Sequence, residues 1–315
     1  MPRLKKIVCL GGGNAMPKAV LAGLKEYPVK ITAISAVFDT GGSTGRLRQG
    51  FQTPISFGDI RRAVLALSEA PKETKDYFSY RDWDGHVMAN AFCTAMAVAT
   101  GSPEKAINKF VERLKVPSRH QILPATLDDA QLYAVLNNSQ TVEGETNIDI
   151  SKHKGKIKEV FLKPQAKAYS KTLEAIKQAD LIVIGPGDLY SSLAQILLIQ
   201  EIPETLRKSK AKKVYVANLM TKHGETDDFS VLDSVNEIEK YLGGELDYVI
   251  YNNAVPLREK IKETKKENPL LVDYVKFDEN LPKDKFLGED LLPASGLVIH
   301  DPQKLAKIII NLCKQ

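Results

Sequence analysis

The chain has 315 residues, 43% of them hydrophobic and 26% charged, and 44 Lys and Arg against 39 Asp and Glu leave a formal net charge of +5. That length accommodates one large α/β domain or two smaller ones with a sizeable core, and the composition excludes global disorder. No apolar run nears the ~20 residues of a membrane-spanning helix, and +5 is too weak to argue for a nucleic-acid partner.

The basic, then apolar N-terminus (MPRLKKIVCLGGG) loosely mimics a signal peptide, but its apolar stretch is short and runs into glycines. Residues 6–10 (KIVCL) therefore read as a buried strand, with Gly11–Gly13 as the turn after it. Residues 16–26 follow as a helix whose apolar face carries Ala19, Val20, Leu21 and Leu24. Residues 30–38 (KITAISAVF), rich in β-branched side chains, predict a second strand, which makes a right-handed βαβ unit. Gly41, Gly42 and Gly45 mark a flexible loop over 39–58, and a helix is expected from near Asp59 through Leu67. Residues 86–99 read as an apolar helix and 103–114 as another, with Pro103 in its first turn.

From 120 to 163 the pattern changes to short strands at 130–136, 140–143 and 157–162, with Asn137-Asn138-Ser139 as a hairpin turn. This is read as a small β-rich insertion. Helix 168–178, strand 180–184, the turn Gly185-Pro186-Gly187, helix 191–199, strand 213–218, helix 230–242 and strand 247–251 complete an alternation. The expectation is a Rossmann-like three-layer α/β/α fold with a mostly parallel sheet, one domain over 1–315 and the insertion at 120–163 within it. Residues 258–290, with the lysine-rich REKIKETKKE, read as a solvated helical or loop surface. Cys9, Cys93 and Cys313 are widely spaced, which predicts buried thiols and a cytoplasmic protein rather than a disulfide framework.

Ligands of open α/β sheets bind at the carboxyl ends of strands. Five strand ends here carry glycine, small polar or acidic residues: Gly11–Asn14, Asp39–Arg46, Gly185–Tyr190, Asn218–Thr226 and Asn252–Asn253. Gly12, Gly13 and Asn14 open a helix and suit phosphate or sugar contact, or serve as a tight turn alone. The nicotinamide-type fingerprint G-x-G-x-x-G is incomplete, since its last position is Met16. Asp39 suits ribose hydroxyls or a divalent cation beside phosphates. Gly41, Gly42, Ser43 and Arg46 then combine backbone N–H groups, hydroxyls and a guanidinium suited to an anion. Asp59 reads as a helix N-cap or a pocket residue, and Arg61 lies within reach of the same anion. Asn90, four residues after His86, either faces the crevice or is a satisfied core amide. Gly187, Tyr190, Asn218 and Thr221 read as pocket walls. Asp188 opposes an anion unless it caps a helix or binds a metal, Lys222 and His223 are candidate substrate contacts, and Glu225 and Thr226 are candidate caps of the next helix. The sequence contains no P-loop, no G-x-S-x-G elbow and no zinc spacing among His86, His120, His153, His223 and His300. No catalytic base can be named.

The stretches VFDTGGSTGRLR, GDIRRAVLAL, GHVMAN, ILPATLDDAQL, GETNI, ADLIVIGPGDLYSSL, AKKVYVANLMTKHGETDDF and DYVIYNNAVP, in this order, resemble the gluconeogenesis factor family. Its members are also called uridine diphosphate-sugar-binding morphogenesis proteins, in a superfamily with 2-phospho-L-lactate transferase. The resemblance covers nearly the whole chain. It implies a cytoplasmic regulatory protein that binds a nucleotide-sugar or related phosphorylated metabolite and supports cell-shape and envelope morphogenesis under gluconeogenic growth. The alternative it implies is a transferase that moves a phospho-group from a nucleoside-diphosphate-activated donor to a hydroxyl, with Mg²⁺ near Asp39. A nicotinamide-dependent oxidoreductase rests on the opening βαβ unit and Asp39 alone. No nucleic-acid partner and no membrane span are expected; a homo-oligomer fits a chain of this size. The sequence departs from the family's usual pattern at Asn14-Ala15, at Thr40 (usually Asp), Ser56-Phe57, Arg62 and Ala89 (usually Gly). It departs again at Asp188 (usually Ser) and at Lys222-His223, where Gln-Pro often stands.

Overall fold

The computed structural model describes residues 3–150, 153, 155–278 and 280–314. Strand β1 (Lys5–Gly11) is buried from Ile7 onward on both faces, as the interior of a parallel sheet requires. The chain then turns into helix α1, which begins as a wide turn at Pro17–Leu21 and ends as Ala22–Leu24. Strand β2 (Val29–Ser35) pairs in parallel with β1, Ile7 opposite Ile31. It stops at Ser35, three residues before the expected end. The amides of Val37 and Phe38 leave the ladder and both donate to the buried Gln195 Oε1, at 3.2 Å each.

The expected 39–58 loop contains helix α2 (Gly42–Phe51). Its glycines disguise it, but tertiary contacts hold it. Leu47 and Arg48 are buried, and Arg48 donates to Asp129 and the Ala130 carbonyl at 2.5 and 2.6 Å. Helices α3 (Gly58–Leu67), α4 (Lys72–Ser79), α5 (Met88–Thr100) and α6 (Pro103–Arg113) follow. The last is capped by Ser102, whose hydroxyl accepts from the Lys105 amide.

Strand β3 (Gln121–Pro124) pairs in parallel with β2, so these residues belong to the main sheet and not to the insertion. The small antiparallel sheet is confined to β4 (Gln131–Leu136), β5 (Thr141–Glu143) and β6 (Ile157–Lys163). Along β4 buried and half-buried residues alternate, so one face packs on the core. Helix α7 (Glu145–Asp149) follows β5.

After α8 (Ser170–Lys177), strand β7 (Leu181–Ile184) is buried throughout and lies beside β1. Next come α9 (Leu189–Ala194, continuing as Gln195–Leu197), α10 (Ile202–Lys208), β8 (Lys212–Val216), β9 (Met220–Lys222) and α11 (Val231–Leu242). Ser230 and Asp233 form a capping box at the start of α11. Strand β10 (Tyr248–Asn252) precedes α12 (Arg258–Glu267), β11 (Leu271–Tyr274), β12 (Phe286–Glu289) and α13 (Pro302–Lys314). Of α12 only Thr264 is buried, which matches a solvated helix. Region 258–290 is otherwise more ordered than expected, because β12 completes one edge of the main sheet against β10.

The result is a seven-stranded parallel sheet in the order β12-β10-β8-β7-β1-β2-β3, flanked by helices. Cys9, Cys93 and Cys313 are free and buried. No helix among the described residues is long and apolar enough to cross a membrane. Strand order reverses between β1 and β7. In doubly wound sheets the crevice opens at the carboxyl ends of the strands flanking such a point.

Helix α13 closes over α1 through one close approach. A Cβ placed on Gly23 would sit 2.0 Å from the Pro302 carbonyl oxygen. Backbone cannot yield there as a side-chain tip can, so Gly23→Ala should cost about 1–3 kcal/mol. Urea unfolding should register this as a lower midpoint with an unchanged slope.

Candidate functional site

A cleft of about 400 Å³ opens at the reversal point. Gly13 and Asn14 reach it from the end of β1, Asp39 from beyond β2, Asp188 from the end of β7 and Lys222 from β9. The first turns of α2, α3 and α5 close it, together with Glu145 and Asp149 of α7.

One wall is built around Asp59. Gly12 lies under its carboxylate, and a Cβ on Gly12 would stand 1.9 Å from Asp59 Oδ2. Only glycine permits this approach. Asp59 is buried and accepts from Arg62 Nη1 at 2.5 Å. It is therefore an ion-pair residue rather than the cap of α3. Thr44 caps that helix from outside, its Oγ1 accepting from the Phe57 and Gly58 amides at 3.1 Å each. Ser43 Oγ accepts from the Val87 amide (2.9 Å) and from Asn90 Nδ2 (3.2 Å), which ties α2 to α5. Asn90 Oδ1, buried on the cleft wall, has no hydrogen-bond partner among the described residues.

The arginines divide differently from expectation. Arg46 is exposed and turned away, with its Nε donating to the Gly42 carbonyl at 3.1 Å and its Nη2 to the Asp84 carbonyl at 2.5 Å. Arg61 lines the cleft, and its buried Nε has no hydrogen-bond partner among the described residues. Burial, with Arg62 and Arg81 nearby, lowers its pKa to about 10, partly offset by Asp59 and Asp39, so it stays charged at neutral pH. Arg62 and Arg81 line the same wall; the sequence reading singled out neither of them as a binding residue.

The cleft also carries carboxylates. Asp39 is pushed up to about 7 by burial, then by Asp59 and Asp149, against the pull of Arg62 and Arg48. Burial, with Asp39 and Asp149, also raises Glu145 well above the carboxylate range. Thr40 Oγ1 accepts from the Thr146 amide at 3.0 Å and so positions the first turn of α7. Glu145 and Asp149 sit within and just after GETNI, four apart on that helix; this spacing was the available signal for them.

Lys222 holds the floor. It is hydrogen-bonded to Asp149 and lies 3.2 Å from both Asp188 Oδ1 and Glu225 Oε1. Burial lowers its pKa, but Glu225, Asp188 and Asp149 outweigh that and raise it. Glu225 also accepts from the Tyr190 and Ser191 amides (2.8 and 3.2 Å) and from the Ser191 hydroxyl (2.9 Å). It thus caps the preceding helix α9, not the following one, while Thr226 Oγ1 accepts from the Lys222 amide at 2.9 Å.

The cleft therefore gathers Gly13, Asn14, Asp39, Gly41, Gly42, Ser43, Asp59, Arg61 and Asn90. The remaining expected residues support its walls without facing it. Asn218 donates to the Gly187 carbonyl (2.8 Å) and accepts from its amide (3.0 Å), which latches the ends of β7 and β8 together. Thr221 Oγ1 bonds both backbone groups of Asp273. The Tyr190 ring is 1% exposed and packs edge-on against Tyr241, so it is core rather than pocket wall.

Among the described residues only Asp149, Asp188 and Glu225 bring three candidate ligand oxygens together, and Asp39 is not part of the group. Lys222 Nζ already contacts all three carboxylates. The residues at this corner therefore do not fit a resident metal ion.

Comparison with known proteins agrees with this architecture. The family profile described as 2-phospho-L-lactate transferase CofD matches residues 7–285. A Clostridium acetobutylicum protein is 39% identical over 321 residues, covering 97% of this chain and 69% of that protein. The gluconeogenesis factor of Bacillus subtilis is 34% identical over the full length of both chains, and that of Listeria innocua is 36% identical over 98% of this chain and 95% of its own. A crystal structure of a Bacillus halodurans protein, 33% identical, superposes with a TM-score of 0.90 over 98% of this chain and 100% of that one. Similarity of this extent, in sequence and in fold, places the chain in the 2-phospho-L-lactate transferase CofD family.

Proposed function

We propose that the protein is a gluconeogenesis factor of the binding type: a cytoplasmic regulator that holds a nucleotide-sugar or related phosphorylated metabolite and supports envelope morphogenesis. The observation that carries this reading is Arg61. Arg61 lines the cleft, is half-buried and has no ion-pair partner among the described residues, and a phosphate in the cleft supplies a charge-assisted one. Arg62 and Arg81 add positive charge on the same wall. The cleft also presents Asp39, Asp149 and Asp188, which suit hydroxyl donors rather than a second anion. A ligand with phosphate at one end and sugar hydroxyls at the other meets both sets of groups. The gluconeogenesis factors among the relatives support the cellular role.

Uridine diphosphate-sugars should raise the melting temperature, and Arg61→Ala should weaken their binding about 10- to 100-fold through loss of a charge-assisted contact. Trp83 is the sole tryptophan, on a loop whose ends, Arg81 and Val87, line the cleft. Its emission should change on ligand addition. No thermal shift and no change in emission with any nucleotide-sugar would refute the reading.

Asp39 gives a pH test. Its pKa in the folded protein, about 7, lies above the ordinary aspartate value of 3.8, so the folded state holds this proton more tightly than the unfolded chain. Its contribution should thus make the protein less stable as pH rises from about 4 to about 7. Phosphate binding should likewise weaken as Asp39 ionises. Asp39→Asn should flatten both trends in paired melting and binding series.

A further inference from the structure

Lys222 is only 6% exposed and draws its surroundings from three segments of chain. Asp149 comes from α7, Asp188 from the end of β7, and Glu225 from three residues downstream. Their oxygens converge as they would on one divalent ion. An ammonium has three N–H donors, and here each has a carboxylate to meet. The corner is also rigid. Glu225 is fixed by the Tyr190 and Ser191 amides, and the Ser191 hydroxyl lies 3.2 Å from Asp149 Oδ1. The Asp188 carboxylate and the Lys222 ammonium meet at 3.2 Å.

We propose that the Lys222 ammonium is a resident cation of the cleft. It takes the place that a divalent ion would otherwise hold among Asp149, Asp188 and Glu225, and the phosphorylated ligand binds with no divalent ion at this corner. The ligand half of this statement rests on the binding reading above; the cation half stands on the geometry alone. Lys222 is a positioning residue. Its donors are engaged by carboxylates, so it acts by neutralising them and keeping them assembled.

The test is Mn²⁺ titration of the full-length protein, followed by electron paramagnetic resonance. Lys222→Gln leaves the three carboxylates without their cation and should gain one saturable Mn²⁺ site, at least about ten-fold tighter than any in the wild type. Adding Asp149→Asn to that variant should abolish the gain. Equal Mn²⁺ binding by the wild type and Lys222→Gln, reduced in both by Asp149→Asn, would overturn the proposal. So would a folded Lys222→Gln that gains no site. Losing the ammonium also costs stability, so the double variant Asp188→Ser/Lys222→Gln, which removes both charges, provides an independent reading. It should recover most of the melting temperature lost in Lys222→Gln; a double variant no more stable than the single one counts against the pair. Wild-type binding of a uridine diphosphate-sugar should change less than about two-fold between EDTA and added Mg²⁺. A strict Mg²⁺ requirement would contradict the ligand half. Absence of nucleotide-sugar binding under either condition would sink the binding reading and leave the Mn²⁺ comparison intact.

Discussion

Between β1 and β7 the chain reverses the direction in which it adds strands. β2 and β3 lie to one side of β1, while β7, β8, β10 and β12 lie to the other. Helices that leave the two central strands diverge, and a crevice remains at the carboxyl edge. Every other feature of the site depends on this. Gly13, Asn14 and Asp188 face one another because β1 and β7 are paired in register, Ile7 with Leu181 and Leu10 with Ile184. The walls then come from segments without strand structure of their own, chiefly the first turns of α2, α3 and α7.

Such a crevice concentrates charge, and charge out of water needs partners. Each wall solves this differently. Asp59 is neutralised by Arg62 one turn along the same helix, with Gly12 as the residue that permits the approach. Glu225 is satisfied by backbone amides at the start of α9 and by Lys222. Asp39 and Glu145 form no ion pair among the described residues, and burial, reinforced by neighbouring carboxylates, raises their pKa values. Arg61 is a positive group whose buried nitrogen meets no acceptor among the described residues. Structural pairs close on themselves; the unbalanced groups are the ones left for a ligand.

The sheet was readable from the sequence because its determinants are local. KIVCL and DLIVI are continuous apolar runs of the kind a parallel interior requires, and Ser230 and Pro103 mark the helix starts that they cap or open. What escaped was decided by distant contacts. Helix α2 carries three glycines and is held by Leu47 and Arg48 against other elements, which no periodicity reveals. Strand β12 exists because β10 offers an edge. At the site, the positions of the glycine-rich turns could be inferred, but the direction of side chains could not. Arg46 and Arg61 looked alike in sequence, yet one is bound by carbonyl groups and the other faces the cleft. Tyr190 sits at the right strand end, but its ring turns into the core, where Tyr241 waits.

Thr40, Asp149, Asp188 and Lys222 act together. Thr40 supplies no carboxylate, but its hydroxyl anchors the turn that delivers Glu145 and Asp149 to the cleft. Asp149 in turn needs a cation, and Lys222 provides it while also meeting Asp188. Carboxylates from α7 and from the end of β7 are thus gathered around one ammonium. The arginine wall is left free of that network except through Arg62 and Asp59. A bare phosphate satisfies only the arginines, and a neutral sugar only the carboxylates. The geometry favours a molecule that carries both groups and spans the cleft.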